Sequence, residues 1–164
     1  QREGRRITGP FSQIDLVPTL LELMGEDVPA GLHGESRADV MRADGDARLD
    51  DGAVVMWHGE HHAITDEQVE RWGVACTAEQ ATSAAQEELR TFIAADGWKL
   101  TVSPTLGQHE LFDLNADPGE RHNRIDDPDQ RDRITTMLDA LRAWQQRTGD
   151  DAELPEAEAI RGWW

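Results

Sequence analysis

Glu110-Leu-Phe-Asp-Leu-Asn-Ala-Asp-Pro-Gly-Glu-Arg-His-Asn123 is the stretch on which the fold turns. A short apolar run passes into an Asp-Pro-Gly turn and then toward an acidic helix start. Proline presets φ, glycine accepts a left-handed position, and Asp117 and Asn123 can bond nearby backbone. Just upstream, residues 89–95 and 98–103 are two strand-like runs separated by Asp96-Gly97. Asp-Gly between such runs signals a tight hairpin with positive φ at both turn positions. Residues 109–114 return as a third strand, and Ala53-Val-Val-Met-Trp57 reads as a buried strand that can extend the meander to four. Downstream, residues 127–148 read as a helix. Asp127 is its cap, Pro128 takes the first position and Gln130 completes the capping box. Ile134, Met137, Leu138, Leu141 and Trp144 form one apolar stripe, and Gly149 is the stop. Such a stripe covers one face of a sheet, so the expected class is α+β.

The N-terminal third has a different texture. In and just before Asp15-Leu-Val-Pro-Thr-Leu-Leu-Glu-Leu-Met-Gly25, Ile14, Val17, Leu20, Leu21 and Met24 recur at helical spacing. Ser12 or Asp15 can cap this helix, and with Asp15 as cap Pro18 lies harmlessly in the first turn. Residues 26–52 are rich in turns, with a short helix over 37–42 and a charged loop over 44–51. Residues 63–88 read as an insertion of two short surface helices. Thr65 with Gln68 and Thr77 with Gln80 are capping boxes.

Composition narrows the function classes. Asp and Glu number 33 against 16 Lys and Arg, giving a formal net charge of −17 over 164 residues, and Lys99 is the only lysine. A surface this acidic repels phosphate backbones, which argues against nucleic-acid binding. Acidic excess with arginine in place of lysine points to adaptation to high salt, where screening relieves self-repulsion. The alternative, an acidic disordered chain, fits poorly with six tryptophans and clean amphipathic patterns. No apolar run approaches the roughly 18 residues of a membrane span. Cys76 is alone and cannot form an internal disulfide. A soluble protein of a high-salt organism is expected; the lone cysteine is compatible with a reducing cytoplasm but does not fix the compartment. The start at Gln1, with no basic and apolar leader, points to a piece of a longer chain.

Candidate chemistry is sparse. His58, His61 and His62 follow the strand 53–57 and are the residues best suited to touch a substrate. Zinc binding would need three or four ligands of fixed geometry, and no supporting pattern surrounds them. His33, His109 and His122 read as turn or surface residues. The acidic runs 44–51 and 126–132 lack the alternating register of a calcium loop. No catalytic and no metal-binding residue is assigned.

Taken in order, Asp15 to Gly25, Arg90 to Leu100, and Glu110 to Asn123 resemble the C-terminal part of the sulfatase family, within the alkaline phosphatase superfamily. The resemblance covers about residues 10–34 and 89–149 and implies a specific architecture. Residues 1–52 would be the remnant of the large α/β sulfatase domain, and 53–150 a C-terminal antiparallel-sheet subdomain with a helical insertion at 63–88. Residues 151–164 would be an acidic tail whose Trp163 and Trp164 dock onto a missing neighbour. The implied fold class is therefore α+β: a small antiparallel sheet of three to four strands covered by a C-terminal amphipathic helix, preceded by the last helix of a truncated α/β sulfatase domain. A complete family member hydrolyses sulfate esters with a formylglycine, made from Cys or Ser in a Cys-X-Pro-X-Arg or Ser-X-Pro-X-Arg context, and a calcium ion. Cys76 is followed by Thr-Ala-Glu-Gln and does not fit that context. No cofactor is expected in this chain. Its expected partners are the missing N-terminal sulfatase domain and, in the full enzyme, a sulfate ester. The alternatives are a stand-alone interaction module and the C-terminal part of a related phosphonate or phosphate ester hydrolase.

Overall fold

The computed structural model describes residues 4–161. In chain order its main elements are β1 (Ile7–Thr8), α1 (Leu16–Met24), α2 (Ala38–Arg42), β2 (Ala47–Arg48), β3 (Ala53–Trp57), α3 (Asp66–Trp72), α4 (Ala78–Ala85), β4 (Leu89–Ile93), β5 (Trp98–Val102), β6 (Glu110–Asp113) and α5 (Arg131–Thr148). Short 3₁₀ turns precede α1 and α5, and a third lies at Ala157–Ala159.

Strands β3 to β6 form an antiparallel sheet in sequence order. Its register sets Val54 opposite Phe92, Phe92 opposite Leu100, and Leu100 opposite Leu111. Side chains alternate across a pleated strand, so this row points to one face. There it meets Ile134, Met137, Leu138 and Leu141 of α5 in the hydrophobic core. The α+β class with a helix-covered antiparallel sheet is the observed one. Strand β3 is an edge strand, however, not a buried one. Its Val55 and Trp57 are each 53% exposed, because they point away from the α5 face.

Local chemistry departs from the sequence reading in two turns. Between β4 and β5, only Gly97 has positive φ (90°), and its N–H bonds to the Ala94 carbonyl. Ala94 N–H in turn bonds to Trp98 O. The loop therefore has three residues, with glycine in the left-handed position, where a two-residue turn was expected. After Asp117-Pro118 the left-handed residue is Glu120 (φ 52°) and not Gly119. The Glu120 side chain is paired with Lys99, whose Nζ donates to Oε2 at 2.6 Å.

The helix caps also divide. Both threonine–glutamine boxes of α3 and α4 form. Asp127 accepts the Asp129 N–H, but Gln130 accepts from Arg133 and closes no box. Ahead of α1, neither Ser12 nor Asp15 makes a side-chain cap.

Residues 151–160 close the core. Ile160 is fully buried among the core residues, with Leu154 and Ala157 packed at its edge. Arg131 and Arg142 donate to the Ile160 and Pro155 carbonyls, and Gln145 to that of Ala152. A single isoleucine in an acidic stretch carries no periodicity, so the sequence did not reveal this packing. Trp163 and Trp164, expected to dock onto a neighbour, lie outside the described residues.

The α1 stripe faces outward. Pro18 and Thr19 are buried, whereas Ile14, Val17, Leu20 and Met24 are exposed, Val17 to 54% and Met24 to 68%. Helical spacing identifies a face but not its partner. Strands β1 and β2 make a two-rung parallel pair, Ile7 with Ala47 and Thr8 with Arg48.

Candidate functional site

The segment carrying His58, His61 and His62 leaves the end of β3 and is fastened to α4. Glu60 N–H bonds to Ala85 O at 2.7 Å, and Ile64 N–H bonds to Thr82 Oγ1 at 2.8 Å. Gly59 is buried against the backbone of Gln86; a Cβ there would lie 2.3 Å from the Gln86 carbonyl carbon. The anchor is thus steric as well as hydrogen-bonded. The histidines themselves are exposed. His58 Nδ1 lies 3.9 Å from Glu88 Oε1, and His62 Nδ1 lies 3.1 Å from Glu60 Oε2. Each of these two therefore faces its own carboxylate. Among the described residues no three His, Cys, Asp or Glu side chains are grouped to hold a metal ion. The segment offers exposed imidazoles that can donate to anionic oxygens when protonated.

The residues of the Asp-Pro-Gly stretch are occupied by backbone. Asn123 Oδ1 accepts from Leu111 and Ile125 N–H, and its Nδ2 donates to His109 O. Asp117 Oδ2 accepts from Arg121 and His122 N–H. Asp113 Oδ1 accepts from Asn115 and Ala116 N–H. These side chains fasten the turn to the edge strand β6.

Two ion-pair systems tie the N-terminal third and the end of α5 to the sheet. Arg37 Nε donates to Asp15 Oδ2 at 3.0 Å, Nη2 lies 3.6 Å from Glu35 Oε2, and Nη1 pairs with Asp51. Asp15 Oδ1 also accepts the Glu35 N–H, and Arg147 of α5 reaches Glu35 Oε1 at 2.6 Å. This chain of charges borders a cavity of about 320 Å³ whose far wall includes Phe92 and Trp144. Second, Arg90 is 2% exposed and pairs with Asp150 through Nη2–Oδ1 (2.8 Å) and Nε–Oδ2 (3.0 Å). Hydrogen bonding from Arg90 holds the Asp150 carboxyl below the usual carboxylate range, against its own desolvation. Neither system was foreseen in the sequence. Pairs 22 and 60 residues apart leave no local pattern.

His109 departs from its expected turn or surface role. It is buried, and its Nδ1 accepts the Ser103 N–H at 3.2 Å. Burial lowers its pKa, opposed by the nearby Glu87 charge.

This sheet, turn and helix have counterparts among known proteins. No protein-family profile matches the chain. It is 36% identical over 67 residues to an ulvan-active sulfatase of Formosa agariphila, covering 41% of this chain and 11% of that protein. It is 28% identical over 115 residues to a Delta 4,5-hexuronate-2-O-sulfatase of Bacteroides thetaiotaomicron, covering 70% of this chain and 19% of the other. Among solved structures, a 2-O GAG sulfatase superposes with a TM-score of 0.61 at 24% identity, over 89% of this chain and 28% of that one. The phosphonate monoester hydrolase of Agrobacterium radiobacter gives a TM-score of 0.54 at 19% identity, over 82% and 24%. The chain is thus a relative of the sulfatases within the alkaline phosphatase superfamily. It spans only 11% and 19% of the length of the two curated relatives.

Proposed function

We propose that the chain is the C-terminal part of a sulfuric ester hydrolase, supporting the fold and one wall of the cleft while the nucleophile and the metal ligands lie in an N-terminal α/β domain. In this reading residues 1–52 complete that domain, and residues 53–150, with the insertion 63–88, form the subdomain beside it. The observation that carries the proposal is the surface of α1. Its apolar stripe faces outward, and the same N-terminal third carries a two-rung parallel strand pair. Parallel strands occur almost only in sheets covered on both faces, and large exposed apolar patches mark interfaces. Both features call for the same neighbour, a larger parallel sheet packed against α1.

Calcium and formylglycine would belong to that N-terminal domain. Bound calcium would supply electrostatic stabilisation of the ester oxygens. The residues of this chain would pack, orient and shape. His58, His61 and His62 are proposed to line the rim of the cleft and to donate to the anionic ester. The likeness to a phosphonate monoester hydrolase supports a second reading, in which the ester is a phosphonate.

A kinetic comparison separates the two. These residues, joined to an upstream α/β domain of the family, should cleave a sulfate ester with higher kcat/KM than a phosphonate monoester. The opposite ranking would replace the first reading with the second. Replacing His58, His61 and His62 together by Ala should raise KM for the sulfate ester several-fold, and an unchanged KM would remove them from the rim.

A further inference from the structure

Asp-Gly occurs three times in the chain, at Asp44-Gly45, Asp51-Gly52 and Asp96-Gly97. In such a pair the glycine amide nitrogen can attack the aspartate side-chain carbonyl, because no Cβ on the glycine blocks its approach. The ring closes only if the carboxyl can leave its partners and the peptide between the two residues can turn. The fold withholds these freedoms from two of the pairs. Asp96 accepts from Arg133 Nη1 at 2.6 Å, its backbone carbonyl accepts from Asn115 Nδ2 at 2.7 Å, and the Gly97 N–H is engaged by the Ala94 carbonyl at 3.0 Å. Asp51 is paired with Arg37. A Cβ on Gly52 would lie 2.7 Å from the Ile93 carbonyl oxygen, so the backbone there is packed against β4. Asp44-Gly45, in the loop between α2 and β2, differs in each respect. Both residues are exposed, and nothing lies within 4 Å of a Cβ placed on Gly45. Among the described residues the Asp44 carboxylate makes no hydrogen bond or ion pair, and the Gly45 N–H has no acceptor.

We infer that Asp44 is a modification site: it isomerises to isoaspartate, and the product is a substrate for an isoaspartyl carboxyl methyltransferase. The Gly45 nitrogen bonds to Asp44 Cγ, the Cγ–OH bond breaks, and the amide proton leaves with the hydroxyl as water. The resulting succinimide takes up water at either carbonyl. Opening at the backbone carbonyl routes the main chain through Cβ and Cγ and frees an α-carboxylate, with no net change in mass. That carboxylate accepts a methyl group from a sulfonium donor; its O–C bond forms as the S–C bond of the donor breaks. The extra backbone carbon falls just ahead of β2, and Asp46 in between accepts the Arg6 N–H at 2.8 Å. The inference is independent of the sulfatase reading.

The test holds the 164-residue chain warm at mildly acidic pH, beside synthetic peptides spanning each pair, and then digests the chain with trypsin. Cleavage after Arg42, Arg48, Arg71, Arg90 and Lys99 places the three pairs on separate fragments. Electron-transfer fragmentation distinguishes isoaspartate from aspartate, and each rate is read against that of its own synthetic peptide. In the folded chain Asp44 should keep its peptide rate, while Asp96 should fall about tenfold or more below its own, because a charged hydrogen bond must first break. Labelled methyl transfer from S-adenosylmethionine by an isoaspartyl methyltransferase should mark the fragment 43–48. Asp44→Glu, whose longer side chain closes a six-membered ring far more slowly, should remove that label. Isoaspartate forming at Asp51 or Asp96 as fast as at Asp44 in the folded chain, an Asp44 rate as depressed as that of Asp96, or undiminished methyl transfer to the fragment in Asp44→Glu would overturn the inference.

Discussion

Asp150 shows how one residue can carry a measurable share of stability. Its carboxylate meets a guanidinium that is almost wholly buried, so removing it leaves a charge without its main partner. Asp150→Asn should destabilise the chain by about 3 kcal/mol at pH 7 in denaturant melts, the low end for a broken buried pair. The low end applies because Glu88 still faces Arg90 at 3.3 Å. The pH dependence has a definite sign. The folded-state pKa of Asp150 is depressed, so its contribution is full above the unfolded value and is lost as pH falls through the folded one. Wild-type stability should therefore fall below about pH 5, and Asp150→Asn should flatten part of that fall. Parallel acid limbs in the two proteins would contradict the assignment. Gly59 sets a steric limit of a different kind. Gly59→Ala should cost about 1–3 kcal/mol and should displace the histidine segment, because the methyl meets backbone and not a movable side chain. An unchanged melting temperature would show that the segment is not fastened there. Neither residue could have been singled out from the sequence, since each acts through a partner brought near by folding.

At the scale of elements, sequence legibility followed the kind of pattern involved. The α5 stripe, the β4–β5 hairpin and both threonine–glutamine caps were legible because their partners lie within a few residues or recur at fixed period. The turn details were not. Gly97 takes its left-handed place in a three-residue loop, and the left-handed residue of the second turn is Glu120, paired with Lys99, where Gly119 was expected. Ile160 was missed because one apolar residue has no periodicity, yet it is fully buried. Helix α1 was recognised as amphipathic, but nothing local says that its stripe faces away from the body of the molecule. That stripe makes a prediction. Val17→Glu and Leu20→Glu, at 54% and 48% exposure, should leave the unfolding free energy of the 164-residue chain within about 0.5 kcal/mol of wild type. The same changes should reduce its dye binding and self-association. A large loss of stability would mean that the stripe is already buried within this chain. On α5 the outcome is opposite: Leu141→Ala should cost about 2–5 kcal/mol, measured by urea melts.

The whole molecule is dominated by its charge and by its relatives. A net charge of −17 opposes compaction, and salt screens it. Raising NaCl from 0.1 to 1 M shortens the screening length from about 10 Å to about 3 Å and should raise the melting temperature. A fall on adding salt would show that exposed ion pairs outweigh net repulsion and would remove the high-salt reading. The candidate site was legible only as a segment. The sequence marked His58, His61 and His62, while their attachment through Gly59 and α4 emerged from the fold. The chain spans only a small part of the length of its sulfatase relatives. The central claim is therefore a division of labour between this chain and an N-terminal domain, and the most direct measurement is sulfate release from a sulfate ester. Residues 1–164 alone should release none above the uncatalysed rate, and the same residues joined to an upstream sulfatase α/β domain should turn the ester over. Sulfate release by residues 1–164 unaided would contradict the account.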